Sequence, residues 1–266
     1  MKPYRCVFRM GIEKSLEYRA DFFLSLFSAV FPIIIQTFLW NYLYGNEDAA
    51  ALFGYTYNEI LIYTLLAGLV SKLVQTGLEY QVNEDIKLGG LNKYLVSPVS
   101  YGRYQLFSFL GEKAPQLVIM GAVAAGMIAF SVAVLGLELS PMRVLIFIVS
   151  LVLALLLNFF IFYSVALLSF WLTDVNLMFG TVSIVLVVVS GGVFPLDIFG
   201  EKLELLVNLL PFGYTTQFSV NIINGRFGWT QIGSGFLCQL FWIGFFGILA
   251  RCMWKRGLKR FTAVGG

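Results

Sequence analysis

The chain has 266 residues, of which 59% are hydrophobic, 17% aromatic and only 12% charged, with no histidine. A soluble domain carries about a quarter charged residues, and the mean hydropathy here is +0.82, so an ordinary soluble domain is excluded. The net charge of +3 does not point to nucleic acid, and the missing histidine removes the commonest metal ligand and proton shuttle.

At the N-terminus, YRCVFRMGIEKSLEYRADFF mixes apolar and basic residues ahead of the first long apolar run. That pattern suits an amphipathic helix over residues 1–21 lying along a membrane interface; an ordinary solvated N-terminus is the plainer alternative. A spanning helix needs about 20 mostly apolar residues. Residues 22–44 meet that need without a charge. The next run, 57–78, is weaker, with Glu59 and Lys72 placed near the two interfaces by snorkelling. Uncharged runs at 114–137, 144–173, 175–196 and 227–250 follow. All are read as helices, because lipid offers backbone groups no hydrogen-bond partner and no barrel-like alternation is present. The expected fold is an all-α integral membrane protein with six transmembrane helices in one domain. No cleavable signal peptide is expected, since the first run is too long for a signal core and no A-x-A-like site follows.

The basic residues fall in three groups of five: Lys2, Arg5, Arg9, Lys14 and Arg19; Lys72, Lys87, Lys93, Arg103 and Lys113; and Arg251, Lys255, Arg256, Lys259 and Arg260. Six spans put all three groups on one side, and the positive-inside rule makes that side, with both termini, cytoplasmic. The opposite side receives only Arg143, Lys202 and Arg226. A rival seventh span, Leu205–Gly225, would turn the basic tail outward and would carry Pro211, Gly213, Gln217 and three asparagines into lipid. A re-entrant or interfacial outer segment between helices 5 and 6 is the preferred reading.

No catalytic constellation is present. Nothing matches a phosphate-cradling loop, and Cys6, Cys238 and Cys252 form neither a metal spacing nor a disulfide framework. Asp197, Glu201 and Glu204 have the spacing of paired carboxylates, and also that of a solvated helical face. The spans 114–250 carry no interior charge, which counts against an ion-coupled carrier. Their polar residues, among them Asn158, Ser164 and Gln239, read as helix–helix hydrogen bonds. In VVVSGGVFPLDIFG, Gly191, Gly192, Phe194 and Pro195 mark a helix break at the outer mouth, which suits a gate or a plain helix end. Between the second and third spans, DIKLGGLNKYLVSPVSYGRY (85–104) is too polar to span and too patterned for a casual linker. Leu88, Leu91, Tyr94 and Leu95 recur at helical spacing, flanked by Lys87 and Lys93. Gly89 and Gly90 weaken a helix, and Pro98 stops it.

Taken in order, SLEYRADFFLSLFSAVFPIIIQTFLW, DIKLGGLNKYLVSPVSYGRY and SGGVFPLDIFGEKLELLVNLLPFGYTTQFSVNIINGRF resemble the ABC-2 type permeases of ABC transporters over nearly the whole chain. The resemblance implies a coupling helix after the second span that docks on a separate ATPase. The matching positions run from Asp85 to Tyr101 and include Lys87, Leu88, Leu91, Lys93, Tyr94, Leu95 and Pro98. It further implies two ATPase copies, a second permease subunit of the same or a related chain, and a multi-pass location in a bacterial inner membrane. ATP and magnesium would belong to the partner; no enzyme activity, cofactor or metal is expected in this chain, and no nucleic-acid partner. The implied activity is export of an amphipathic or hydrophobic small molecule. An ion-coupled carrier and a non-transporting sensor or assembly protein are the alternatives.

Overall fold

A computed structural model describes residues 2–17, 19–45, 54–135, 140–172, 174–200 and 208–261. The described residues form helices, turns and irregular segments, with no strand. In chain order the helices are α1 (Lys2–Glu17), α2 (Arg19–Leu43), α3 (Tyr57–Val74), α4 (Leu78–Lys87), α5 (Asn92–Leu95), α6 (Tyr101–Leu135), α7 (Pro141–Ala166), α8 (Asn176–Val189), α9 (Gln217–Ile223) and α10 (Trp229–Leu258). Among the described residues three apolar stretches are long enough to cross a membrane: Tyr57–Lys87, Pro141–Phe170 and Trp229–Leu258. The chain is therefore a membrane protein on its own physical terms.

Local chemistry explains several boundaries. Helix α3 opens with a capping box: the Glu59 backbone N–H donates to Thr56 Oγ1, and the Thr56 N–H donates to the Glu59 carboxylate at 2.8 Å. Such a cap is worth about 0.5–2 kcal/mol, so Glu59 earns its place at the end of an apolar helix. Helix α7 opens with Ser140 followed by Pro141 at its first position, where the missing proline N–H costs nothing.

The observed helices depart from the predicted spans at their ends, three of them by the most. The helix that carries the third starts at Tyr101, and its polar first turns, through Lys113, lie ahead of the apolar run from 114 and are covered by α1. There Gly11 and Gly111 let the two backbones meet: a Cβ on Gly11 would lie 2.5 Å from the Ser108 carbonyl oxygen, and one on Gly111 would strike that of Phe8. Lys14 also pairs with Glu112 at 2.9 Å. The last runs through to Leu258, eight residues past 250, with Trp254 packed against Tyr101. The fifth is shorter than expected, ending at Val189. Between 208 and 225 the longest helix has seven residues, all buried. At about 1.5 Å per residue it rises only about 10 Å, so the described residues there form no helix long enough to span. Positions 136–137, 173, 201 and 204 lie outside the described residues.

Side-chain contacts show which helix ends lie together. The Tyr4 hydroxyl accepts from the Ser100 N–H, Tyr101 stacks on Trp254, and Asn83 bonds Asn176. The starts of α1, α6 and α8 and the ends of α4 and α10 thus share one end, where the three basic groups gather. At the far end Trp40 donates to Thr64 near the start of α3, Arg143 donates to the carbonyls of Ile222 and Phe227, and Trp40 meets Phe194 beyond α8. Successive long helices therefore run back and forth between a basic end and a far end.

The core lies between α3, α7 and α9, where Tyr63, Leu66 and Val70 share one buried cluster with Ala154, Leu155 and Phe218. Its polar groups bond between helices, as their type in an apolar setting demands. Asn158 donates to the Val74 carbonyl; Ser150 and Ser219 are 2.7 Å apart; Gln239 donates to the carbonyls of Ser150 and Tyr214.

Candidate functional site

At the basic end, residues 85–104 fold as a braced loop rather than one helix. Gly89 adopts φ +78, a left-handed conformation that only glycine takes freely, and this turns the chain out of α4. A Cβ on the next residue, Gly90, would lie 2.5 Å from Asp85 Oδ1. Glycine there lets the backbone approach the carboxylate. The four-residue α5 follows, and the chain bends over Ser97–Val99 before α6 begins.

Asp85 is the centre of the brace. It is buried, and its Oδ2 accepts from the Tyr101 hydroxyl at 2.8 Å and from Gln105 Nε2 at 3.4 Å. Lys93 stands 3.8 Å from Oδ1 and 4.8 Å above the Tyr94 ring. Burial, then the neighbouring Asp85 charge, pushes the Tyr101 phenol far above its usual range, so it stays a neutral donor. Its ring stacks on Trp254 with centroids 5.0 Å apart at 11°. Tyr94 packs edge-on against Tyr101 and touches Tyr104 at 4.8 Å. Lys87 donates to the Leu172 carbonyl, which ties the end of α4 to the turn before α8.

The apolar stripe expected on this segment divides in two. Leu91 is 0% exposed and anchors the loop, whereas Leu88 is 73% exposed and Leu95 projects outward. Val96, not singled out from spacing, is 87% exposed. Pro98 is also exposed, in the bend. The exposed apolar surface of the segment is thus Leu88, Leu95, Val96 and Pro98; Asp85, Leu91, Tyr94 and Tyr101 shape the loop from beneath.

At the far end, the break after α8 is built from Gly191, Gly192, Phe194 and Pro195, as their order suggested. Gly191 has φ +78, and its carbonyl accepts from the Tyr63 hydroxyl at 2.7 Å. The Ser190 carbonyl accepts from the Gln217 N–H at 3.0 Å. A Cβ on Gly192 would strike Ser71. Phe194 packs edge-on against Trp40 at 6.0 Å, and Pro195 precedes a single 3-10 turn over Leu196–Phe199. The four residues are therefore a closed joint between α3, α8 and α9.

Beside that joint lies a cluster that spacing alone missed. The Tyr55 hydroxyl donates to Asp197 at 2.8 Å, and Arg226 sits 3.6 Å from the same carboxylate and 3.6 Å above the Tyr55 ring. Arg226 also donates to the Gly54 carbonyl, and Gln217 reaches Asp197 at 3.5 Å. Burial, then Asp197, raises the Tyr55 phenol well beyond its ordinary range. Asp197 is consequently a structural partner of Tyr55 and Arg226. The available signal was Arg226, one of only three basic residues expected on that side. Among the described residues no group of acidic or cysteine side chains could hold a metal ion.

A family model described as ABC-2 family transporter protein matches residues 30–265. The match takes in both the braced loop and the far-end joint. A comparison with curated proteins found no match.

Proposed function

The chain belongs to the ABC-2 family of transporter proteins, and on that premise we propose that it is the permease subunit of an ATP-driven exporter in a bacterial inner membrane. Two copies of a separate ATPase subunit supply the energy, and the chain works beside a second permease subunit. The cargo is an amphipathic or hydrophobic small molecule. The basic end faces the cytoplasm, following the positive-inside rule. The ATPase docks on residues 85–104, which act as the coupling segment.

The observation that carries this reading is the division of labour in that loop. Leu88, Leu95 and Val96 are apolar and exposed, although water gives apolar groups no reason to project from a rigid loop. A partner groove does, through helix-in-groove or loop-in-groove docking. Beneath them the Asp85–Tyr101–Trp254 chain of contacts links the loop to α6 and α10, so a push on the loop reaches long helices. The far-end joint, one glycine-hinged break held by Tyr63 and Gln217, is the natural gate.

The test is co-expression with the ATPase followed by affinity purification and transport into inside-out vesicles. Retention of the ATPase by the intact chain, and its loss in a Leu88→Asp/Val96→Asp double variant, supports the reading. An intact chain that never retains an ATPase, or a double variant that transports at the full rate, overturns it.

A further inference from the structure

A cavity of about 580 Å³ opens at the basic end between the start of α6, the end of α7 and the end of α10. Small-molecule sites run from about 300 to 1,000 Å³. Its walls are sorted by chemistry. Arg103, Arg251 and Lys255 are exposed and stand at the mouth, while Phe159, buried, and Phe160, half-buried, form a deeper apolar wall. No carboxylate lines it, and among the described residues none of the ion pairs engages these three cations. Three other tail cations, Arg256, Lys259 and Arg260, do not line it. The positive-inside rule explains a basic tail; it does not explain why two of the tail cations and Arg103, from two helices, line one aromatic-walled space.

Depth matches the membrane as well. Gly244 lies seven residues before Arg251 along α10, about 10 Å at 1.5 Å per residue. Half of a typical hydrocarbon core is about 15 Å. A molecule with its charge at the mouth and its apolar part along Phe159, Phe160 and Gly244 would lie at the depth of one leaflet. Gly244 leaves room for it, since a Cβ there meets nothing within 4 Å.

We propose that this cavity binds an amphiphile with one anionic headgroup, its carboxylate, sulfate or phosphate held by Arg103, Arg251 and Lys255 and its apolar part on the aromatic wall. Trp254 lines the same cavity and stacks on Tyr101, so occupancy adjoins the loop assigned to ATPase docking. The link to transport rests on the permease reading; the binding site itself does not.

The experiment therefore uses binding and no ATPase. Purified chain in detergent is titrated with dibromostearate or with the uncharged dibromostearyl alcohol, and quenching of Trp254 is taken as the difference between the intact chain and Trp254→Phe. Dibromostearate is expected to bind about tenfold more tightly than the alcohol, equivalent to about 1.4 kcal/mol. Arg103→Gln/Arg251→Gln/Lys255→Gln should erase that preference. Gly244→Leu, which fills open space and suits a helix, should abolish quenching by both while the chain stays folded. Equal affinity for acid and alcohol, or a preference that survives the triple variant, overturns the proposal. Nanodiscs containing brominated phosphatidylglycerol or brominated phosphatidylcholine separate the sources. Stronger quenching by phosphatidylglycerol identifies a membrane lipid, and a response confined to the free acid identifies a solute; both support the anionic-amphiphile site. If the site binds as expected and no ATPase is ever retained, the permease reading fails and the site stands.

Discussion

Tyr101 joins two distant parts of the chain: its hydroxyl bonds Asp85 at 2.8 Å while its ring lies parallel to Trp254 at 5.0 Å. The first contact is polar and buried, the second is apolar, and each can be removed separately. Tyr101→Phe keeps the stack and deprives Asp85 of a donor. Leaving a buried acceptor short costs about 1–3 kcal/mol, more for a charged one. We expect a lower thermal midpoint in detergent, and loss of cargo-stimulated ATPase activity in the assembled complex with basal activity retained. Tyr101→Leu removes both contacts and should be worse on both measures.

Leu91 and Leu88 sit three residues apart and should fail in opposite ways. Leu91→Ala empties a fully buried site, a change that costs about 2–5 kcal/mol, and should lower stability whether or not a partner is present. Leu88→Asp leaves the isolated chain as stable as before and weakens ATPase retention. Thermal unfolding of the purified chain, set beside co-purification yield, separates the two.

Lys113, at the basic end of α6, gives a pH signature. Burial, then the nearby Lys72 charge, lowers its ammonium to about 8, against the pull of Glu112 and Glu79. A base whose folded value lies below its unfolded one destabilises the fold while both forms are protonated. The deficit is therefore full below about pH 8 and fades as pH rises towards the unfolded value near 10.4. Lys113→Met should raise the thermal midpoint at pH 7, and its advantage over the intact chain should shrink between pH 8 and 10. An advantage constant across that range contradicts the assignment.

The far-end joint should tolerate little at Gly191. Alanine there must adopt φ near +78, a cost of about 1–2 kcal/mol, with its Cβ 2.7 Å from the Tyr63 hydroxyl. Gly191→Ala should lower stability and slow transport, while Gly200→Ala, also at positive φ but with nothing within 4 Å, should cost only the strain. Arg226→Ala removes the charge above Tyr55 and beside Asp197, and should loosen the far end, read as faster hydrogen exchange over residues 54–63.

Much of this architecture was legible because lipid imposes simple rules. Apolar runs located the long helices, and the glycines at 191 and 192 located the break. Helix ends were less legible: α6 begins at Tyr101 because α1 covers its polar turns, and that pairing depends on Gly11 meeting Gly111, a relationship separated by a hundred residues. In the coupling segment, spacing grouped Leu88, Leu91, Tyr94 and Leu95 on one stripe. The positive φ of Gly89 breaks the helical register on which that grouping depended, burying Leu91 while Leu88 stays out. Tyr55, Asp197 and Arg226 come from three separate segments, and no periodicity could have joined them.

The brevity of α8 has a mechanical consequence for the surrounding lipid. As a 14-residue helix it rises about 21 Å, well short of a hydrocarbon core of about 30 Å. Ile184, Val185 and Val188 face outward along it. Acyl chains against that flank must tilt or compress to meet it, which draws the two headgroup layers closer together there. On the permease reading, with α8 as the fifth span, such a dent lowers the elastic work of moving an amphiphile past it, and transport should be fastest in bilayers of short-chain lipids.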